Sequence, residues 1–331
     1  RISCKFGKKI VKNLAELSAI IENEIGKLSY PQSPALLYNP IEYIMGLQGK
    51  RMRPILVLMA HQLFEENLDK AISPALSIEV FHNFTLLHDD IMDKAPLRRG
   101  NATVHEKWND NVAILSGDTM MIQAYQLLSK VDDEKLRKVL DVFSKAATEV
   151  CEGQQWDMDF ETQNNVEISE YMKMIEYKTA VLLAASLQIG GITGGASIQE
   201  QENLYEFGRN IGIAFQLKDD LLDVFGNPDT FGKQIGGDIM SNKKTYLYLK
   251  ALESASDKQK NELEKYFSIS DTSAEKVNAV KKIFNDLKIQ SFIIDLMKEY
   301  QMRAMMHLDA IGSSNKEPLI AFSEKLMARI S

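Results

Sequence analysis

The chain has 331 residues, 45% of them hydrophobic, and a formal net charge of −7. That is enough apolar material for a large core in one or two domains, and the acidic balance argues against a nucleic-acid binder. It gives no global steering of an anionic ligand either, so local cations must hold any such ligand.

Helical periodicity dominates and sustained period-2 alternation is almost absent. Residues 11–27 place Leu14, Leu17, Ile20, Ile21 and Ile25 on one stripe, and SYPQSPALLYNP then breaks the pattern with three prolines. A second helix is predicted at about 40–48 and a third from Ile55 to Leu63, with Pro54 in its first turn, where a missing N–H costs nothing. Residues 74–93 form the next helix, and 110–130, 133–160, 167–189 and 198–224 make four further long apolar ones. After a basic loop at 226–241 come shorter, more charged helices near 243–254, 256–267, 273–287, 289–311 and 315–330. No linker or low-complexity run divides the chain, so residues 1–331 are expected to form a single all-α domain.

Two cysteines, Cys4 and Cys151, cannot build a disulfide framework, which fits a reduced, cytoplasmic compartment. The longest apolar candidate for a membrane span, Ala180 to Ile192, is broken by Gln188, Gly190 and Gly191. The start, RISCKFGKKIVKN, lacks the apolar core of a signal peptide, and its missing Met suggests that the sequence begins inside a longer chain. The protein is expected to be soluble, with no membrane insertion and no nucleic-acid partner.

The chemistry concentrates in LLHDDIMDKAPLRRG, Leu86 to Gly100. Asp89 and Asp93 stack one turn apart on one helical face, with Asp90 beside them. Carboxylates at that spacing repel unless a cation sits between them, and hard oxygen ligands with room for water and phosphate suit Mg²⁺ better than zinc. Arg98 and Arg99 follow on a loop begun by Pro96 and ended by Gly100, an arrangement suited to a phosphorylated substrate. The spacing recurs about 130 residues later as Asp219, Asp220 and Asp223 in FQLKDDLLDVFG, again closing an apolar run. Lys50, Arg51 and Arg53 precede a Pro-started helix whose N-terminus also attracts anions. Lys178 and Thr179 interrupt an apolar helix, and a lysine there is costly to bury without an anion.

These motifs resemble the trans-isoprenyl diphosphate synthase, or polyprenyl synthetase, family, which includes farnesyl and geranylgeranyl diphosphate synthases. Further matches are GKRMRP (Gly49 to Pro54), His82, YKTA (Tyr177 to Ala180), GK (Gly232, Lys233) and KKTY (Lys243 to Tyr246), in the family's order. The resemblance implies an all-α isoprenoid synthase bundle around a deep central cavity, with the two aspartate motifs facing each other at its mouth. It implies Mg²⁺-dependent condensation of isopentenyl diphosphate with an allylic diphosphate through a carbocation, and three Mg²⁺ per site. Two of these are shared by Asp89 and Asp93 and one sits on Asp219, while Asp90 and Asp223 orient waters and neighbouring cations. By the same carry-over Lys50, Arg53, His82 and Arg99 hold isopentenyl diphosphate, and Arg98, Lys178, Lys233 and Lys243 hold the allylic diphosphate. Lys244 is equally basic, and the sequence does not separate it from Lys243. The Lys178 carbonyl, the Thr179 hydroxyl and the Gln216 amide oxygen face the developing carbocation. Gln154 and Asp157 match an element lining the cavity, and His88 reads as a packing residue rather than a base. A homodimer is expected, through the helices near 110–130 and 133–160.

Chain length is set below Asp89, where Thr85 lies ~6 Å and Phe81 ~12 Å down the helix at 1.5 Å per residue. Phe84 is the large residue that many short-chain relatives carry five positions before the motif, and with Phe81 and Thr85 it sets an expected product of C15 to C20. A class I terpene cyclase usually replaces the second aspartate motif and needs no isopentenyl site. A non-catalytic subunit of a heteromeric synthase tends to lose one motif. Here both motifs and the GKRMRP, His82 and Arg99 set are intact.

Overall fold

Leu17, Ile21 and Ile25 lie on the buried stripe of α1 (Leu14–Gly26), which Asn13 opens with a complete capping box to Glu16. The computed structural model describes residues 11–163, 165–226 and 235–327, all-α apart from one two-stranded hairpin among them. Helices α2 (Ala35–Gly46), α3 (Met52–His61) and α4 (Asp69–Met92) follow, each starting a few residues before its predicted position. Pro40 lies inside α2 and Pro74 inside α4, where sequence patterning had read Pro74 as a helix start.

The hairpin β1 (Leu97–Arg98) and β2 (Asn101–Ala102) separates α4 from α5 (Val104–Lys107), α6 (Asp110–Leu128) and α7 (Asp133–Thr162). Next come α8 (Ile168–Ile175), a π-helical turn (Glu176–Ala180), α9 (Val181–Gly194) and α10 (Ile198–Phe225). Helices α11 (Gly237–Met240), α12 (Tyr246–Ser254), α13 (Asp257–Phe267), α14 (Ala274–Asp286), α15 (Ile289–Asp309) and α16 (Glu317–Met327) complete the order. The single helix predicted over 167–189 is in fact two α-helices joined by the π turn.

The chain divides into two compact units. Of the described residues, the first comprises 11–143, 185–204 and 311–319; the second comprises 144–163, 165–184, 205–226, 235–310 and 320–327. In the first, α4 packs against α1, α2, α3 and α6, and its Ala71, Ala75, Ile78, Val80 and Phe81 are buried. A helix surrounded in this way is apolar all round rather than striped. In the second, Leu217, Leu221 and Val224 of α10 join one core with Val280, Ile283 and Phe284 of α14 and Ile289, Ile293 and Met297 of α15. No described helix is long and apolar enough to cross a membrane.

One ion pair organises the first unit. Arg51, the residue before α3, holds left-handed backbone at φ 44°. Its Nη1 donates to Glu79 Oε1 on α4 at 2.7 Å, and its Nη2 donates to the Met45 and Leu47 carbonyls at 2.8 Å. Arg51 is 4% and Glu79 1% exposed, so neither charge has water to fall back on. Arg51 Nε also reaches Glu22 Oε1 at 3.2 Å, but that carboxylate is exposed, so removing Glu79 still takes from the buried guanidinium its one enclosed counter-charge among these partners, at a typical cost of about 3–5 kcal/mol. Glu79→Ala is therefore expected to lower unfolding stability by about that much in urea titration. A loss under about 1 kcal/mol would mean that α3 and α4 do not depend on the pair.

Candidate active site

The same pair places the first cluster of functional side chains. It fixes the start of α3 against α4, so that Arg53 Nη1 meets His82 Nε2 at 3.0 Å. A guanidinium can only donate, so the imidazole nitrogen accepts and the ring is neutral. Burial, then the charges of Arg53, Arg99, Arg98 and Arg51, hold the His82 pKa well below the usual imidazole value. Burial, with Arg99 adding to it against Glu79, brings the Arg53 guanidinium down to about 10. The Arg53 Nε is buried with no hydrogen-bond partner among the described residues. Lys50 is exposed.

Arg99 joins the cluster through backbone strain. The hairpin turn has positive φ at both central positions, Arg99 at 54° and Gly100 at 77°, as a type I′ turn requires. Glycine takes that conformation freely, whereas arginine does so at a cost of about 1–2 kcal/mol. The turn sends the two arginines to different partners. Arg99 Nη1 donates to the Leu47 carbonyl at 3.3 Å, where Gly49 leaves room: a Cβ there would lie 2.7 Å from Nη1. Arg53 and His82 are in contact and Arg99 acts on both through its charge, all within the first unit.

Arg98 goes the other way. Its Nε lies 3.0 and 3.2 Å from the two Asp90 oxygens and its Nη2 2.5 Å from Oδ1. Asp90 is 2% exposed, so this carboxylate is a buried partner of Arg98 rather than an open metal donor. Asp90 thus orients a neighbouring cation, Arg98. The reason is helical: Asp90 lies 100° round from Asp89, on the side α4 turns inward. Asp89 is half-buried and Asp93, the C-cap of α4, is exposed. Both sit at the negative end of the helix dipole, which makes a cation there more favourable still.

Phe81 is fully buried and packs edge-on to Phe143 at 5.2 Å and against Phe84 at 5.6 Å. It is a core aromatic in this structure. Phe84 and Thr85 are half-buried, and Phe84 meets the His88 ring at 4.8 Å. His88 Nε2 lies 3.1 Å from the Ile114 carbonyl, and Gly117 leaves the space for its ring, in keeping with a packing role.

The second unit carries the remaining groups on the π turn and α10. A single π turn inside a helix commonly marks a functional position, because it widens the spiral and re-aims side chains. Two glycines accommodate it. A Cβ on Gly153 of α7 would lie 2.2 Å from the Lys178 backbone nitrogen, and one on Gly212 of α10 would lie 2.6 Å from Ala180 Cα. Lys178 Nζ is 2.5 Å from Asp157 Oδ2, so the anion this lysine needs is supplied by α7. Thr179 Oγ1 is 3.2 Å from Gln216 Oε1, and Gln216 Nε2 is 3.2 Å from Asp220 Oδ1. The Tyr171 hydroxyl donates to the other Asp220 oxygen. Burial, reinforced by Asp238, pushes the Asp220 pKa well above the usual carboxylate range.

Asp219 is half-buried at the surface of α10. Asp223 accepts from the Asp238 backbone N–H at 3.0 Å, at the start of α11. Lys244 Nζ donates to the Phe160 carbonyl at 2.6 Å near the end of α7, whereas Lys243 is exposed; the structure separates two residues the sequence did not. Gln154 is buried on α7. Lys233, with Gly232, and Cys4 lie outside the described residues. Sequence reasoning missed Glu79 and Tyr171. A lone carboxylate in the apolar run AISPALSIEVF could have signalled Glu79, but a tyrosine in an amphipathic helix carries no such signal.

Among the described residues no three carboxylate, imidazole or thiol groups converge on one metal-sized point. The donor chemistry still fits Mg²⁺, which typically takes one or two protein carboxylates and completes its six positions with water and substrate phosphate. Asp89 with Asp93, and Asp219, offer hard oxygens of that kind and number.

The polyprenyl synthetase family model matches residues 34–287. A geranylgeranyl diphosphate synthase of Methanosarcina mazei is 44% identical over 246 residues, covering 74% of this chain and 76% of its own. A geranylgeranyl pyrophosphate synthase of Geoglobus acetivorans is 35% identical over 324 residues, covering 97% and 98%. A crystal structure of a geranylgeranyl pyrophosphate synthase, 44% identical, superposes with a TM-score of 0.92 over 97% of this chain and 100% of that one. The chain belongs to the polyprenyl synthetase family of prenyltransferases.

Proposed function

We propose that this prenyltransferase condenses isopentenyl diphosphate with an allylic diphosphate, head to tail, to give an all-trans C15 to C20 prenyl diphosphate and free diphosphate. The observation that carries the reading is the Arg53 Nε, buried and without a hydrogen-bond partner among the described residues, beside the like charge of Arg99. Crowded, desolvated cations are favourable only if an anion of matching charge arrives. A diphosphate held by Lys50, Arg53 and Arg99, with neutral His82 as a further hydrogen-bonding group, meets that need. The names of the relatives support C20 as the main product, and Phe84 supports a short one.

The allylic diphosphate is assigned to Asp89, Asp93, Asp219, Lys178 and Lys243, with Lys233 in the same role. When bound, Mg²⁺ on these aspartates would neutralise charge on the diphosphate oxygens and so favour their departure. Arg98 bound to Asp90 contributes a positive charge that needs no rearrangement to face an anion, and Asp157 holds Lys178 extended until a diphosphate competes for it. The Lys178 carbonyl and the oxygens of Thr179 and Gln216 are assigned to stabilise positive charge developing on the allylic carbon. The double bond of isopentenyl diphosphate then attacks that carbon, and a proton is lost to the departed diphosphate.

We also assign the two units to one enzyme domain, because the family model runs through both without interruption. A homodimer is supported by Ile114, Leu115 and Ile122, apolar residues of α6 that are 44%, 58% and 60% exposed.

Purified protein with Mg²⁺, isopentenyl diphosphate and dimethylallyl, geranyl or farnesyl diphosphate is expected to give extractable products ending at C20 by mass, with none in EDTA. A ladder reaching C30 would overturn the length assignment, and no condensation with any starter would overturn the function. Gly153→Ala should push the π turn away and cut kcat about tenfold or more by disturbing Lys178 and Thr179; wild-type kcat would remove those residues from the chemistry. Leu115→Asp combined with Ile122→Asp is expected to convert a dimer to monomer in light scattering, and an unchanged mass would rule out this face as the interface.

A further inference from the structure

Thr179, Gln216, Asp220 and Tyr171 form an unbroken chain of side-chain hydrogen bonds within the second unit. It begins on the π turn, passes twice through α10 and ends on α8. Thr179 and Gln216, at one end, are half-buried; Asp220 and Tyr171, at the other, are buried. The first pair carries the oxygens assigned above to the developing carbocation, whereas nothing in that assignment uses Tyr171.

A carboxamide has an accepting end and a donating end of nearly the same shape. Its orientation is therefore decided by its neighbours, and at Gln216 the deciding neighbour is Asp220. With the Tyr171 hydroxyl on Oδ2 and the Gln216 NH₂ on Oδ1, both carboxylate oxygens accept. The amide oxygen of Gln216 is left beside the Thr179 hydroxyl. Turned over, the same amide would present N–H donors there, and its dipole would repel positive charge instead of attracting it. The tyrosine matters because a carboxylate held by one partner can swing about its Cα–Cβ bond, and a carboxylate held by two cannot do so without breaking one of them.

We propose that Tyr171 is a positioning residue for the condensation: by holding Asp220, it fixes the Gln216 amide with its oxygen toward the reacting allylic carbon. The inference rests on the function assigned above, in which Thr179 and Gln216 face that carbon. It adds the fourth residue of α8, to which the assignment above gives neither substrate nor metal, acting through two intermediates.

The test compares two probes bound to the full chain in Mg²⁺ by calorimetry. One is an allylic diphosphate analogue with an ammonium nitrogen in place of a carbon that becomes cationic; the other is the thiolodiphosphate of the same length, whose allylic part is uncharged. Tyr171→Phe removes only the hydroxyl and is expected to weaken the ammonium probe about tenfold while the thiolodiphosphate stays within about twofold. The kcat should fall by a similar factor, with KM for isopentenyl diphosphate unchanged. Asp220→Asn, which lets position 220 donate and so permits the amide to invert, should produce the same selective loss and serves if the first variant folds poorly. Equal weakening of both probes, or of neither, in the variants that fold would overturn the proposal and reduce Tyr171 to packing. Wild-type protein that condenses no allylic starter would overturn the underlying function instead, a failure the probe comparison does not mimic.

Discussion

The first unit depends on burying Arg51 against Glu79. This pair is unusual in that the arginine also takes left-handed backbone, so its position is set by a strained φ and four side-chain hydrogen bonds at once. Each is costly alone: the strain about 1–2 kcal/mol, the desolvation several more. Together they over-determine one geometry, which is what allows the next basic residue on α3, Arg53, to sit against His82 with a donor still unused. A softer connection would let like charges drift apart and hydrate separately.

The second unit solves a different problem. Lys178 and Thr179 must project from a helix whose surroundings are apolar and tightly packed. A regular α-helical turn would leave no reason for two neighbouring helices to carry glycine just there. The π turn bulges outward, and Gly153 and Gly212 are the positions where a methyl group would collide with its backbone. Two features that look like separate weaknesses, an irregular turn and mid-helix glycines, are one device. Each glycine costs its helix about 1 kcal/mol relative to alanine, offset by the packing it permits.

Charge placement follows the same logic within each unit. A net charge of −7 cannot attract an anion from a distance, so attraction has to be local. Both aspartate motifs close their helices, where the dipole adds to the negative charge and raises the need for a cation. In each motif the middle aspartate is withdrawn: Asp90 by Arg98 and Asp220 by Tyr171 and Gln216. Two of the six carboxylates therefore build structure and orient neighbours, a division of labour that the repeated spacing alone conceals.

The sequence by itself determined much of this protein. Helix class and order followed from periodicity, and the paired DDxxD spacing with its trailing arginines, the GKRMRP segment, His82 and YKTA were enough to identify the family. Local rules of that kind depend on residues close in the chain, which is why the motifs holding Arg53, His82, Asp89, Asp93 and Asp219 were legible as motifs. Tertiary structure decided what depends on partners far apart in sequence. It put Asp157 on Lys178, 21 residues away, and Tyr171 on Asp220, 49 away. It withdrew Asp90 into a pair with Arg98, buried Phe81 against Phe143, and separated Lys243 from Lys244 by giving the latter the carbonyls at the end of α7. The physical reason is that a side chain's role is set by its desolvation and by which donors and acceptors meet it. Both are properties of packing, which spacing along a helix only constrains.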